Sequence, residues 1–600
     1  MDRVRHCVDR LNSYVGASTF GRIFRLEGCG HDQEIRYTKF TTELRAGLTT
    51  FFTMSYIIAV NASILADSGG DCVCNDTTGS DPFCLQNAEY AICKQELNRS
   101  LVTATAAIAG FSSFLFGFLT NMPVALAPGM GLNAYFAYQI VGFNGEGIIS
   151  YNLALTAVFI EGFVFVALSL LGMRQWLVKV IPVSLKIAAA CGIGLFLALI
   201  GLGSSEGIGA VTGGKATPLQ IAGCPDKYIK DGVCVSHKMT SPTMWLGVMA
   251  GGIVTAYLMS YKVKSAMIVG ILLVSIISWP RGTSVTYFPH TEMGDSNFNF
   301  FKKVVDFQPI KQLNVLDWNI TQDPGNFAIA LFTFLYVDII DCTATLYSMA
   351  RFSGVVDPDS GDFPRSTLAY CTDAFCISIG ALLGTSPVTA FIESGAGIAE
   401  GGKTGLTAMT CGVCFLISMF FAPLFASIPP WATGCTLILV GCLMMRQITN
   451  INWSYIGDAI PAFVTVMFIP FGYSVAYGLI AGLMVYTALN GMIYITKLVS
   501  GGRIVPDDED HREYWTIKPH GKAPWFFTAS QALADQVRGR RTKHTHDVAA
   551  SRIADNDGWE YQDRLGSKGS THEAELERVV VQALPTNPSG EKVLRRDIMR

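Results

Sequence analysis

The chain is 600 residues long, half of it hydrophobic and only 15% charged, with a mean hydropathy of +0.36. Soluble domains carry about 25% charged residues, so composition excludes an ordinary water-soluble globule. The net charge of −3 gives no reason to expect nucleic acid as a partner.

Charge is unevenly spread. Residues 1–43 and 500–600 are polar, whereas 44–499 is a succession of apolar runs. This predicts a cytoplasmic N-terminal segment, a transmembrane domain and a largely disordered cytoplasmic tail. Met1-Asp2-Arg3 opens a mixed polar stretch and not a signal peptide, so the first span is expected to act as an uncleaved insertion signal. About 20 apolar residues cross ~30 Å of hydrocarbon as a helix. Runs of that kind lie near 44–66, 101–120, 151–173, 181–202, 243–261, 264–280, 326–349, 366–384, 405–428, 430–446, 455–474 and 476–497. Two further segments, 122–142 and 385–400, are apolar but interrupted by Pro123, Pro128 and Gly131 in one and Pro387, Gly395 and Gly397 in the other. Counting them predicts an all-α polytopic protein of about 14 crossings, with the third and tenth broken.

Basic residues orient these crossings. Arg36, Lys39 and Arg45 precede the first, Arg174 and Lys179 follow the fourth, Lys262 and Lys264 the sixth, and Arg503 the last. All fall on one side, which the positive-inside rule makes cytoplasmic, together with both termini. Cys72, Cys74, Cys84, Cys93, Cys224 and Cys234 then occupy outward loops, where disulfides persist. The sequons at Asn75, Asn98 and Asn319 are also outward. No cysteine–histidine spacing resembles a metal site.

A lipid-exposed backbone cannot lose its hydrogen bonds, so broken crossings belong against protein or a cavity. Pro123-Val124 and Gly131 are matched in spacing by Pro387-Val388 and Gly395. Paired broken segments at equivalent places in an inverted repeat point to a midplane transport site. Carboxylates within spans agree. Asp338 and Asp341 share a helix face with Phe334 and Thr345, Glu393 lies in the second broken segment and Asn133 follows the first. Each central carboxylate costs about 2.5–3.5 kcal/mol to insert, so three together need partners or a polar cavity. Glu161 and Asp373 stand alone in their spans, where each reads equally as an interhelical lock or a functional group. Asp458 reads as interfacial, and Lys302 and Lys303 as a solvated face.

These residues also carry a resemblance. Thr41-Thr-Glu-Leu-Arg-Ala-Gly47, Ala59 to Ile64, Ala125 to Phe136, Phe334 to Asp341, Gly384 to Thr389, Glu393-Ser-Gly and Glu400 to Leu406 resemble, in order, the AzgA-like purine permeases of fungi and plants. The likeness covers about residues 12 to 505, and Pro429 to Gly434 resembles the fungal branch. It implies a UraA-like fold of core and gate domains in a seven-plus-seven inverted repeat. It further implies symport of hypoxanthine, adenine and guanine with protons across the plasma membrane. No cofactor or metal is expected, and a homodimer is one expectation for the assembly. The family's binding residues fall on Asn133, Asp338, Asp341 and Glu393, with Phe391 as a stacking group. Asp338, Asp341 and Glu393 are the candidates for carrying the proton.

The chemistry fits independently of the resemblance. Carboxylates accept ring N–H or exocyclic amine protons of a purine, and the Asn133 amide both donates and accepts. An anion exchanger calls for net positive charge at the site. A membrane enzyme calls for a nucleophile–His–acid arrangement, and the nine histidines fall mostly in tails and loops. A transporter-like sensor would bind without uptake.

Overall fold

Each of the twelve uninterrupted apolar runs coincides with a helix in the computed structural model. Residues 73–87, 174–181, 204–206, 213–218, 225–227, 231–232, 235–238 and 356–362 lie outside its description, as do 1, 32, 33, 264 and nearly everything beyond 501. The tail expected to be disordered therefore falls outside the described residues, as do Cys74 and Cys84. Among the described residues, nine helices are long and apolar enough to cross a membrane. These are Phe40–Asp67, Glu89–Thr120, Tyr151–Leu170, Val183–Leu202, Pro242–Ser260, Pro324–Ser353, Gly405–Phe425, Pro430–Asn450 and Val475–Val499. Ala266–Ser278, Ser366–Leu382 and Ile456–Phe471 are shorter and apolar.

Local chemistry sets where these helices begin and end. Ser150 and Ser474 each accept a hydrogen bond from a first-turn backbone N–H of the helix that follows, the usual N-cap bond. Pro324 and Pro430 occupy first-turn positions, where the missing N–H is not needed. Gly354, at φ 73°, closes Pro324–Ser353 in the left-handed conformation, which lacks a steric penalty only for glycine.

Close helix pairs are built on facing glycines. Gly110 and Gly117 face Gly412 and Gly405 across one antiparallel pair, and Gly194 and Gly201 face Gly441 and Gly434 across another. A side-chain carbon at any of these would overlap atoms of the opposing helix or, at Gly434, the backbone of Gly207 and Ile208 just beyond it. Lipid tails are as apolar as leucine, so membrane helices associate by close packing of small residues. The same seven-residue spacing recurs on all four helices.

The N-terminal segment is docked onto the first span and its neighbour. Phe24 and Leu26 are buried with Leu406, and Asn12 exchanges two 3.0 Å hydrogen bonds with Thr41. Glu43, fully buried, accepts from Lys403 N at 3.0 Å, Thr404 N at 3.2 Å and the Thr407 hydroxyl at 2.7 Å. Its charge thus sits on the N-terminus of the Gly405–Ser418 helix, where the backbone dipole favours an anion.

Cys72 and Cys93 form a disulfide with Cα atoms 5.9 Å apart, and Cys224 is disulfide-bonded as well. Lys94, next to that first bridge, pairs with Asp67 at 2.5 Å, and Tyr138 donates to the other Asp67 oxygen at 3.0 Å. Asp458 departs from the interfacial expectation. It is buried and accepts from Asn452 Nδ2 at 3.1 Å, because the chain before its helix folds back to supply a donor. Lys302 and Lys303 are exposed.

Gly117→Val and Gly441→Val should each destabilise the purified protein by about 1–3 kcal/mol through overpacking. Thermal melting in detergent reads this, and an unchanged midpoint in both would refute the glycine-mediated crossings.

Candidate functional site

The two interrupted segments meet. Leu126–Pro128 and Val388–Ala390 form a short antiparallel pair, with Leu126 opposite Ala390, Ala127 opposite Thr389 and Pro128 opposite Val388. Each strand leads into a short helix, Met130–Tyr135 and Ser394–Ala399 respectively. Proline and glycine prevent continuous helix here, and buried backbone must find other partners. Gly129 N donates to Pro387 O at 2.9 Å, and Phe391 N to Ala125 O at 3.1 Å. Side chains complete the set. Ser113 Oγ accepts from Leu126 N at 2.9 Å and donates to Leu126 O at 2.8 Å, while Ser394 Oγ accepts from Ala125 N at 3.0 Å.

The expected site residues gather around this crossing. Asn133, on the first short helix, is fully buried; its Nδ2 donates to Asn61 O at 3.4 Å and its Oδ1 has no hydrogen-bond partner. Asn61 in turn donates to Thr105 Oγ1 at 2.8 Å and accepts from Ser386 Oγ at 3.3 Å. That network fixes Asn133 between the first span and the start of the second broken segment. Glu393 sits immediately before the second short helix and accepts from the Tyr56 hydroxyl at 3.0 Å. Tyr56 can reach it because the first span is broken at Ser55–Tyr56.

Asp338 and Asp341 come from the Pro324–Ser353 helix. Asp338 is fully buried, and neither carboxylate oxygen has a hydrogen-bond partner. Thr389, from the second strand, lies beside it, yet its own hydroxyl also makes no hydrogen bond. Asp341 is half-buried and is the electrostatic neighbour of Glu393. Phe334, one turn before Asp338, packs edge-on to Tyr135 with ring centres 5.4 Å apart, which seats this helix against the first broken segment. Phe391 is buried in the apolar core. The helix face read from the sequence thus carries its two acids to different neighbours, Asp338 toward Thr389 and Asp341 toward Glu393.

One reading needs correction. Glu161 and Asp373 do not stand alone: each is buried, and they are electrostatic neighbours of each other and of Asp338. Their helices touch at Gly162, where a side-chain carbon would collide with Ser378 and the Ala374 carbonyl. Sequence spacing could not reveal this, because the two acids are brought together only by packing of distant spans. Tyr56, Asn61, Ser113 and Thr389 were also not singled out. Only their polarity within apolar spans marked them. No ion pair among the described residues involves Glu161, Asp338, Asp341, Asp373 or Glu393.

Residues 78–480 match the Permease family, Xan_ur_permease. The chain is 57% identical over 534 residues to the efflux pump notK′ of Aspergillus versicolor, covering 88% of this chain and 92% of that protein. A Schizosaccharomyces pombe protein provisionally named a xanthine/uracil permease is 54% identical over 86% of this chain and 83% of its own length. The adenine permease AdeQ of Escherichia coli is 33% identical over 78% of this chain and 90% of its own.

Ser113→Ala should leave Leu126 N buried without an acceptor, at a cost of about 1–3 kcal/mol. A lowered melting midpoint is expected, and an unchanged one would show that the strand crossing does not need this bond.

Proposed function

This chain belongs to the Permease family of membrane transporters, and we propose that it carries purine nucleobases, hypoxanthine, adenine and guanine, into the cell by proton symport. The observation that carries this reading is the set of buried polar atoms without partners at the strand crossing: Asn133 Oδ1, both oxygens of Asp338 and Thr389 Oγ1. Buried polar groups are nearly always paired, so such a set suits a solute that brings its own donors and acceptors. A purine does. Its ring N–H and exocyclic amine donate to Asp338 and Glu393, and its ring nitrogens and carbonyl accept from the Asn133 amide. Phe391 supplies an aromatic face beside the second strand.

In this reading the crossings number about 14, as two inverted sevens with the broken segments at equivalent positions. Core and gate domains alternate access to the site. The termini are cytoplasmic, the Cys72–Cys93 bridge faces the oxidising side with glycans at the sequons, and the membrane is the plasma membrane. A homodimer is the expected assembly. Purine is neutral at physiological pH, so one proton per purine makes transport electrogenic. A potential of about 100 mV then supplies ~2.3 kcal/mol, or roughly fiftyfold accumulation. Asp338, Asp341 and Glu393 are the groups within reach of the solute whose charge can change.

A second reading is export, which the name of the Aspergillus relative favours. The same site would then load from the cytoplasm, and proton entry would drive solute outward.

Radiolabelled adenine uptake in energised vesicles separates these readings. Under symport, uptake collapses with a protonophore and ignores sodium replacement. Sodium-dependent uptake would overturn the coupling, and a proton gradient that expels adenine would establish export. Asp338→Ala and Glu393→Ala should each weaken purine binding by about tenfold or more, as charge-assisted acceptors worth ~1.5–3 kcal/mol are lost. Unchanged affinity in both would refute the site.

A further inference from the structure

Behind the solute-facing groups lies a second set of acids for which purine recognition has no use. Glu161, on Tyr151–Leu170, and Asp373, on Ser366–Leu382, are both fully buried, and none of their four carboxylate oxygens has a hydrogen-bond partner. Gly162 lets these helices approach until the backbone of one meets Ala374 and Ser378 of the other, and Ser378 Oγ locks the contact by donating to Phe159 O at 3.0 Å. The titratable groups facing the pair are Asp338, Asp341 and Cys342 from Pro324–Ser353 and Cys376 from Ser366–Leu382. Beyond Asp338 stands Thr389 of the second strand, 2% exposed, whose hydroxyl lies beside that carboxylate. No cation faces the pair among the described residues, and no group of acids there is arranged to hold a metal ion.

Two carboxylates in such surroundings cannot both be charged. An unpaired buried ion costs several kcal/mol, and a like charge beside it adds to the penalty. A shared proton removes one charge and turns an acceptor oxygen into a donor for the other, as in paired catalytic carboxylates.

We propose that Glu161 and Asp373 form a proton-holding station, linked through Asp338 to the solute site. The inference rests on the symport reading above and places the coupling proton on residues that do not touch the purine. When the proton advances, the O–H bond on Asp373 breaks and one forms on Asp338, ionised beforehand, while a proton entering down the gradient bonds to Glu161, so that the pair keeps one proton throughout. No electrons are transferred. Glu161 acts as a positioning residue for that proton.

The test uses the purified full-length protein in vesicles with radiolabelled adenine. Wild type should accumulate adenine about fiftyfold at about 100 mV. Glu161→Gln and Asp373→Asn should bring accumulation to the level of simple equilibration, while adenine binding and adenine–adenine exchange persist. Glu161→Asp, which keeps the carboxyl, should restore accumulation in part. A merely structural, permanently protonated Glu161 would be replaced silently by Gln, so full accumulation in that variant overturns the station and leaves symport standing. Wild-type uptake that ignores the proton gradient overturns symport and the station together. Should the amide variants not fold, infrared spectra of wild type and Glu161→Asp decide. A protonated buried carboxyl band that changes with pH or adenine in wild type and is shifted in the variant supports the station, and a band indifferent to both, or absent, overturns it.

Discussion

Six residues, three on each interrupted segment, pair as short antiparallel strands across the interior of the bundle, and the arrangement of everything near them follows from that pairing. Hydrocarbon offers no partner to an open backbone, so neither segment can leave the helical form without the other. Once they pair, each turns into a short helix whose start points back toward the crossing. The first of these helices carries Asn133, and Glu393 sits immediately before the second. Ser113 and Ser394 then act as substitutes for backbone, each satisfying a group that the three-residue strands leave over.

The crossing also explains why acids accumulate here without cations. A continuous helix buries its own polar groups and tolerates no charge beside it. The interrupted segments instead create a polar interior in which Asp338, Asp341 and Glu393 have backbone and hydroxyl neighbours. Glu161 and Asp373 lie on two helices in direct contact at Gly162 and are electrostatic neighbours of Asp338.

Much of this was legible in the sequence. Twelve apolar helices were readable, nine of them long enough to cross a membrane among the described residues, because 20-residue apolar runs have few other uses. The broken segments were readable because proline and glycine recur at matched spacing, but their pairing with each other was not, since the sequence said only that they belong against protein or a cavity. The reading failed where long-range packing decides. Asp458 looked interfacial by its position near a span end, but Asn452 folds over it. Glu161 and Asp373 looked solitary because 212 residues separate them in the chain, and only the packing of their helices, close at Gly162, brings them together. Glycine at that position was one of many in apolar spans, and nothing local distinguished it.

The Glu43 contact has a consequence for how the molecule is made. Glu43 belongs to the first helix to enter the membrane, yet its partners at Lys403 and Thr404 lie 360 and 361 residues later. At about 5–20 residues per second, a ribosome needs roughly 20–70 s to deliver them. Through that interval the first helix carries a carboxylate whose cap does not exist, and Leu126–Pro128 likewise waits for Val388–Ala390. Assembly of this carrier therefore cannot proceed crossing by crossing. Its first half gains these partners only after the second half has emerged.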